Sequence, residues 1–292
     1  MASLSELIQQ RLRAYWPLIK SPQTGLLVLT GLAGYSSARC PVTNWPTLLA
    51  LAGGLFLAIS GSTILNMAYD ADIDACMKRT SRRPIPTGKV TRLEAAILGV
   101  LLTSLGVAWG FALLPRAGWV VLAGAVIDVV VYTVWLKRRT AYAIVFGGLA
   151  GGMPALAGRT LALGRLDAIG WLLALAVLLW IPTHIMTFQL RYEDDYRAAR
   201  VPTFPSSYGA DTTRKVIAVS SVGAAVTMTS AAVGIGMDWG YLRLLLVMSV
   251  GLLGLAAVGV LRPSVRVNFG IFKYASFFML GSMLVVMVQG IA

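Results

Sequence analysis

Oxygen-bearing side chains recur at a helical spacing around residue 70. Asn66, Asp70 and Asp74 are spaced i, i+4 and i+8, so a helix would align them along one stripe of its surface. Carboxylate and amide oxygens are the ligands that Mg²⁺ prefers, and the ion keeps several of its waters. Asp72 would point away from the stripe, and we interpret it as structural. The spacing therefore predicts a metal site built on this stripe.

A basic segment follows the stripe directly. Residues 78–83 read Lys-Arg-Thr-Ser-Arg-Arg. A metal ion can bridge phosphate oxygens while guanidinium groups bind the remaining ones, so this order of residues is typical of a diphosphate site. The alternative is that these cations only reflect the excess of Lys and Arg in the cytoplasmic loops of membrane proteins.

A second acidic cluster occupies residues 193–195, which read Glu-Asp-Asp and precede Arg197. It again ends an apolar segment, and a basic loop that contains proline follows it. One metal ion would need only one cluster, so two clusters favour two or more Mg²⁺ ions around a single diphosphate. Metal ions in that arrangement stabilise the charge of a leaving group.

Further polar residues are predicted at membrane depth or at its inner boundary. Asp128 and Tyr132 are one helical turn apart, and Lys137 lies where its ammonium could reach a phosphate. Lys137 could instead extend to the lipid headgroups. His184 is the only histidine of the chain, and a lone histidine is more often a hydrogen-bonded packing residue than a ligand.

The elements that must position these residues are long apolar segments. The chain is 57% hydrophobic and 13% charged, with a mean hydropathy of +0.75, whereas soluble domains average about 25% charged residues. We predict an all-α membrane protein of about nine transmembrane helices around a central cavity, formed by residues 1–292 as a single domain. Residues 1–16 are expected to form an amphipathic segment on the membrane surface. The apolar runs are 17–36, 46–66, 94–114, 117–136, 141–158, 168–190, 214–235, 240–261 and 269–290.

The distribution of basic residues predicts the orientation of these helices. With nine crossings, 20 of the 25 Lys and Arg residues fall on one side, and such an excess marks the cytoplasmic side. The N-terminus would be cytoplasmic, the C-terminus outside, and both acidic clusters would face the cytoplasm. Cys40 and Cys76 would lie on opposite sides of the membrane, so no disulfide is expected between them.

These motifs resemble those of a known family. One pattern resembles the first signature of the UbiA superfamily of intramembrane prenyltransferases: Asn66-x3-Asp70-x3-Asp74, then Lys78-Arg79-Thr80, Arg83-Pro84 and Gly88. Two later blocks resemble the protoheme IX farnesyltransferase (haem O synthase) branch: Tyr132-Thr-x-Trp135-Leu-Lys137-Arg138, and Trp180-x-Pro182-x-His184 followed by Asp194-Asp195-Tyr196. The resemblance covers roughly residues 15–290.

The resemblance implies a multi-pass cell-membrane enzyme that uses Mg²⁺ to remove diphosphate from a prenyl diphosphate and joins the prenyl group to an electron-rich acceptor. The expected metal ligands are Asn66, Asp70, Asp74, Asp194 and Asp195. The expected diphosphate-binding residues are Lys78, Arg79, Arg83, Lys137 and Arg197. Catalysis is assigned to Asp70, Asp74, Asp194, Asp195 and Lys137. The residues expected to contact the acceptor or line the cavity are Lys20, Asp128, Tyr132 and His184.

The acceptor stays open at this point. The branch usually carries Lys-Pro-Arg before the first helix and His-Phe-Trp in the sixth, whereas this chain has Lys20-Ser-Pro-Gln and His184-Ile-Met. A haem-type acceptor and an aromatic acceptor such as 4-hydroxybenzoate are therefore both retained. An ion-coupled transporter is a further alternative, because carboxylates inside membranes also mark ion pathways. The lipid bilayer is an expected partner, and nucleic acid is not.

Overall fold

The structure, a computed structural model, describes residues 9, 13–39 and 44–291. Most of the predicted amphipathic segment 1–16 lies outside these residues. A single 3₁₀ turn at Trp16–Ile19 leads into the first helix, and the regular elements of the described chain are helical throughout. The helices are α1 (Ser21–Ser36), α2 (Trp45–Tyr69), α3 (Ala71–Cys76), α4 (Arg92–Leu113), α5 (Pro115–Leu136), α6 (Ala143–Leu163), α7 (Ala168–Arg191), α8 (Glu193–Ala198), α9 (Phe204–Tyr208), α10 (Ala210–Ile235), α11 (Trp239–Leu261) and α12 (Val265–Ile291).

The predicted all-α membrane class is confirmed. Each of the nine apolar runs coincides with a helix, and seven of the described helices are long and apolar enough to cross a membrane. The two that fall short are α1, with 16 residues, and α6, whose glycines and Arg159 lower its hydropathy. A helix suits this environment because it satisfies every backbone hydrogen bond within the segment. Nine crossings and their orientation stay a prediction.

Close helix crossings rest on small residues. A Cβ atom added to Gly106 of α4 would lie 2.3 Å from the backbone nitrogen of Ala58 on α2. One added to Gly158 of α6 would lie 1.9 Å from the carbonyl oxygen of Gly31 on α1. Neither position has room for a larger side chain, so these glycines let the backbones touch. Lipid tails are as apolar as the helix surfaces, so the hydrophobic effect does little to bring helices together inside a membrane. Close van der Waals packing at small residues therefore contributes to helix association there.

The second half of α5 is a π-helix. Residues Ile127–Leu136 form hydrogen bonds from residue i+5 to residue i, and the amide of Lys137 donates to the carbonyl oxygen of Tyr132 at 2.8 Å. With about 3.6 residues per α-helical turn, the nine steps from Asp128 to Lys137 would make about two and a half turns and leave these two side chains on opposite sides of the helix. A π-helical turn holds about one residue more. The segment therefore brings Asp128, Tyr132 and Lys137 toward one side of α5.

A buried ion pair ties the end of the bundle remote from the acidic clusters. Arg159 of α6 is 5% exposed, and its guanidinium binds Asp167 at 2.7 Å and the carbonyl oxygen of Ser37 at 2.8 Å. Asp167 also caps α7 by accepting a hydrogen bond from the Gly170 amide. Burial opposes ionisation of Asp167, but the hydrogen bonds from Arg159 and Gly170 keep its pKa below the usual value. One side-chain pair thus joins three segments.

An apolar cavity of about 470 Å³ lies inside the bundle. Its walls come from α1, α2, α5, α6 and α7, with Ser276 of α12. A smaller polar pocket of about 120 Å³ lies beside it, at the ends of α3, α5 and α7. Ile185 lines both spaces, and Asp128 and Tyr132, one turn apart on α5, line the cavity and the pocket respectively. The two spaces are therefore adjacent.

Candidate active site

The polar pocket collects charged side chains from distant parts of the chain. Four cations, one carboxylate and several neutral polar groups line it, and apolar residues complete its wall. Asp70 is buried behind this wall, where its carboxylate binds Lys137. The polar lining residues are Lys20, Asp74, Arg79, Arg83, Tyr132, Lys137, Thr140, Gln189 and Tyr196.

The first acidic stripe keeps helical spacing across a break. Asp70 separates α2 from α3, with φ −90° and ψ 13°. Its amide still donates to the carbonyl oxygen of Asn66 at 3.0 Å, and the Asp74 amide donates to that of Asp70 at 2.8 Å. Asp70 and Asp74 are 2% and 4% exposed, so both carboxylates point inward. Asn66 is half-buried and does not line the pocket, so its metal-binding role stays a prediction.

Each carboxylate of this stripe binds one of the cations expected to bind diphosphate. Lys137 Nζ forms a salt bridge with Asp70 Oδ2. Arg83 Nη1 donates to both oxygens of Asp74, at 2.8 and 2.7 Å. Charge-assisted hydrogen bonds of this kind are strong and directional. They hold the stripe and the cations against each other at one side of the pocket.

Asp72 lies outside the pocket. Its carboxylate receives two hydrogen bonds from Arg138, at 2.7 and 2.8 Å. These bonds lower the pKa of Asp72 to about 2. Arg138 also stacks on Tyr69, with its guanidinium carbon 4.8 Å from the ring centroid. The contact joins α3 to the end of α5 at an exposed surface.

The second acidic cluster contributes unequally. Asp195 Oδ2 accepts a hydrogen bond from the Arg79 amide at 3.3 Å, which brings α8 against the basic loop after α3. The side chain of Asp194 is fully exposed, 3.9 Å from Arg197, and Arg197 binds Glu193 at 2.9 Å. None of Asp194, Asp195, Arg197 and the exposed Lys78 lines the pocket. Their metal-binding and diphosphate-binding roles stay predictions.

Three polar lining residues were not assigned to the site from the sequence, although one of them, Tyr196, belongs to the second motif: Thr140, Gln189 and Tyr196. Gln189 is buried, and its Oε1 atom has no hydrogen-bond partner in the described chain. It precedes Glu193 by four residues, the spacing that separates Asn66 from Asp70, and that repeat was the available signal. Burial raises the pKa of the Tyr196 phenol against the opposing effect of Arg79 and Lys137, so Tyr196 stays a neutral donor.

The oxygen atoms at the pocket fit a hard divalent cation. Asp70 Oδ1 and Gln189 Oε1 are both buried without a hydrogen bond among the described residues, although Arg138 Nη2 lies 3.6 Å from the former. Mg²⁺ takes few protein ligands and retains waters. Within the ranges that the structure covers, no three His, Cys, Asp or Glu side chains form a group able to hold a metal. Water and diphosphate oxygens would complete the coordination.

Aromatic rings hold cations and line the apolar cavity. The Arg79 guanidinium carbon lies 4.8 Å from the ring centroid of Phe188, which fixes it at the pocket rim. In the cavity, His184 is stacked between Trp180 at 4.9 Å and Phe272 at 4.5 Å, measured between ring centroids. His184 Nδ1 lies 3.2 Å from Ser276 Oγ. His184 is thus packed and hydrogen-bonded, and it also faces the cavity.

In this helical membrane protein, a cationic pocket that also bears carboxylates adjoins an apolar cavity. The two spaces together suit a molecule with an anionic head and an apolar tail. The chain belongs to the UbiA prenyltransferase family, whose model matches residues 27–280. It is 43% identical over 205 residues to the protoheme IX farnesyltransferase of Korarchaeum cryptofilum, an alignment that covers 70% of this chain and 69% of the relative.

Solved structures share this fold. A structure of digeranylgeranylglyceryl phosphate synthase has a TM-score of 0.79 at 18% identity, covering 96% of this chain and 99% of that one. A UbiA homologue from Archaeoglobus fulgidus bound to GPP and Mg²⁺ has a TM-score of 0.68 at 14% identity, covering 95% and 99%. The chain is a prenyl-transferring membrane enzyme, as the sequence motifs predicted, and its family membership argues against an ion-coupled transporter.

Proposed function

We propose that this membrane prenyltransferase moves a polyprenyl group from a prenyl diphosphate to a haem-type acceptor. The relative that is 43% identical is named protoheme IX farnesyltransferase, and that name supports the acceptor. The observation that carries the proposal is the adjacency of the polar pocket and the apolar cavity. A prenyl diphosphate has the same division into a charged head and an apolar tail, so it matches the two spaces in order.

The cations of the pocket bind the diphosphate head. Arg83 and Lys137 line the pocket from different elements, and Arg79 is held at its rim by Phe188. Guanidinium and ammonium groups in a partly desolvated pocket favour the extra negative charge that develops as the bond from the prenyl carbon to oxygen breaks. Lys137 is therefore assigned to binding the departing diphosphate. Its Nζ atom lies 5.7 Å from the ring centroid of Tyr132.

Oxygen atoms of Asp70, Asp74, Asp195 and Gln189 would hold two or more Mg²⁺ ions. When bound, these ions neutralise negative charge on the leaving diphosphate. The chain's own contribution is to fix the carboxylates through Lys137 and Arg83 and to bury them. A buried carboxylate needs such partners, because an unpaired charge is costly in a medium of low dielectric constant.

The apolar cavity receives the prenyl chain and the reactive end of the acceptor. Its apolar walls limit the access of bulk water to an allylic cation, which water would otherwise capture. Trp180 and His184 both line the cavity, where they are stacked against each other. We further propose that the enzyme lies in the cell membrane with the polar pocket toward the cytoplasm, because the loops around it carry most of the Lys and Arg residues.

Product analysis tests the proposal. Purified protein is incubated with Mg²⁺, farnesyl or geranylgeranyl diphosphate, and either haem or 4-hydroxybenzoate. Mass spectrometry is expected to find a prenylated haem product and stoichiometric diphosphate. Prenylated 4-hydroxybenzoate in place of the haem product would show that the acceptor is aromatic and not haem, while the proposed prenyl transfer would still hold. No diphosphate release with any combination would contradict the proposal.

The carboxylate stripe gives the first variant test. The double variant Asp70→Ala, Asp74→Ala is expected to lose at least about 100-fold in turnover, roughly 2.7 kcal/mol of transition-state stabilisation. The reason is that it removes metal ligands and also leaves Lys137 and Arg83 without partners. Asp211→Ala is the matched control, since Asp211 is an exposed carboxylate paired only with Arg214. Retained turnover in the double variant would refute the assigned metal site.

A further inference from the structure

Asp128 is an acidic group that the binding of diphosphate does not use. It lies on the π-helical part of α5 and faces the apolar cavity. Among the described residues that line this cavity, Asp128 is the only acidic one. The other polar groups there are Gln23, Ser62, Thr63, Trp180, His184 and Ser276.

The Asp128 carboxylate also has no structural partner. Its backbone carbonyl accepts a hydrogen bond from Thr133 at 2.8 Å, but its side chain forms no hydrogen bond or ion pair with any described residue. Asp70, Asp74 and Asp167 all have such partners. A carboxylate at membrane depth is expensive and generally functional. A purely structural role would leave that cost without a compensating contact.

The surroundings of Asp128 distinguish it from the metal-binding carboxylates. Lys20, Lys137 and Asp70 are within electrostatic range, so charged groups of the pocket lie on one side and the cavity on the other. Without a bridging cation the carboxylate repels a diphosphate, so it does not bind the anionic head directly. It also lies beside the space where a prenyl cation would meet its acceptor. His184 also lines the cavity, but its stacking between Trp180 and Phe272 and the contact of Nδ1 with Ser276 give it a packing role, which Asp128 lacks.

We propose that the Asp128 carboxylate accepts the proton released when the acceptor is alkylated. This inference rests on the proposed prenyl transfer. The C1–O bond of the prenyl diphosphate breaks, and its electron pair leaves with the diphosphate. C1 then forms a C–C bond with a π-bonded carbon of the acceptor, and the positive charge passes to the rest of the acceptor. That charge is lost when a proton leaves the alkylated carbon, or when one water molecule adds and gives up its proton. In both cases the proton goes to Asp128.

Measuring both the prenylated acceptor and the released diphosphate separates the role of Asp128 in proton transfer from the earlier release of diphosphate. The wild type is expected to release one diphosphate per prenylated acceptor. Asp128→Asn is nearly isosteric and is expected to lower the prenylated product at least about 100-fold, the contribution of a general base, while Mg²⁺-dependent diphosphate release falls less than about tenfold. Prenyl alcohol or diene would account for the difference. Continued diphosphate release also proves that the variant is folded.

Restoring a carboxylate gives the second arm. Asp128→Glu is expected to recover part of the coupling between the two products, and added formate is expected to recover it in Asp128→Ala. The inference would be overturned if Asp128→Asn formed as much prenylated product per released diphosphate as the wild type, whether or not both amounts fell. A failure of both Glu and formate to restore coupling would also overturn it. Absence of diphosphate release by the wild type would instead contradict the proposed function.

Discussion

Lys137 and Arg138 are neighbours in the chain, yet they bind different carboxylates. Lys137 binds the buried Asp70 at the polar pocket, whereas Arg138 binds the exposed Asp72 outside it and lies 3.6 Å from Asp70. The first contact joins groups that are largely withdrawn from water, whereas exposed ion pairs contribute little to stability. Two adjacent cations thus have different consequences for the site.

This difference predicts the outcome of one substitution. Lys137→Met is expected to lower turnover at least about 100-fold, because it removes a cation that stabilises the leaving diphosphate. Arg138→Met, the matched change one residue later, is expected to cost much less. Initial rates of Mg²⁺-dependent diphosphate release measure both. Equal rates for the two variants would show that Lys137 does not act on the diphosphate.

At the scale of single residues, the sequence located charged groups better than neutral ones. The carboxylates of Asp70 and Asp74 were predictable because acidic residues at the end of an apolar helix are rare. Gln189 and Tyr196 carry no charge, and nothing in composition separates them from ordinary polar residues. Asp194 shows the reverse limit, because three contiguous acidic residues necessarily point in different directions around a helix. Which of them faces the pocket depends on how α8 packs.

Among the elements, the π-helical part of α5 has the largest effect on the site. Removal of Val130, which is 53% exposed, is expected to let the segment adopt α-helical hydrogen bonds and rotate Lys137 away from Asp70. Turnover should fall at least about 100-fold, with helical content retained by circular dichroism. Val130→Ala changes the same residue without changing the segment length and should stay near wild type. Full activity of the deletion would contradict this account.

The Arg159–Asp167 pair gives a prediction about stability. Asp167→Ala leaves Arg159 buried without its partner, an arrangement that typically costs about 3–5 kcal/mol, and it also removes the cap of α7. The melting temperature in detergent is expected to drop sharply. Asp167→Asn keeps a capping oxygen and should fall between wild type and Asp167→Ala. Equal melting temperatures for all three proteins would show that the pair is not important.

The same pair predicts acid sensitivity. The pKa of Asp167 is below its ordinary value of 3.8 in the folded protein, so the pair's stabilisation is complete above pH ~4 and declines as the pH falls further. The melting temperature of the wild type should therefore decrease below pH ~4 more steeply than that of Asp167→Asn. Parallel pH profiles of the two proteins would contradict this assignment.

Helix positions were predictable because apolar runs of spanning length are unambiguous. Internal details were not. Hydropathy does not distinguish i+4 from i+5 hydrogen bonds, so the π-helical part of α5 was read as ordinary helix. The break at Asp70 was also missed, since the amide hydrogen bonds on either side preserve the expected spacing. The two features are joined by one ion pair, because Asp70 at the break binds Lys137 at the end of the π-helical segment.

For the whole molecule, orientation is the main untested prediction, and the two cysteines test it. Cys76 is free and exposed, whereas Cys40 lies outside the described residues. In Cys40→Ser, a membrane-impermeant maleimide should label Cys76 only after the cells are opened, because the loop after α3 is expected in the cytoplasm. In Cys76→Ser, the same reagent should label Cys40 on intact cells. The opposite pattern would invert the topology.

The salt bridges of the polar pocket make ligand binding an exchange of partners. A divalent ion that arrives alone competes with Lys137 and Arg83 for Asp70 and Asp74, and a diphosphate that arrives alone competes with those carboxylates for the cations. When both arrive, each releases the groups that the other requires. Thermodynamic reciprocity then makes the two affinities rise by the same factor. We expect the enzyme to bind the metal and the diphosphate together in preference to either ion alone.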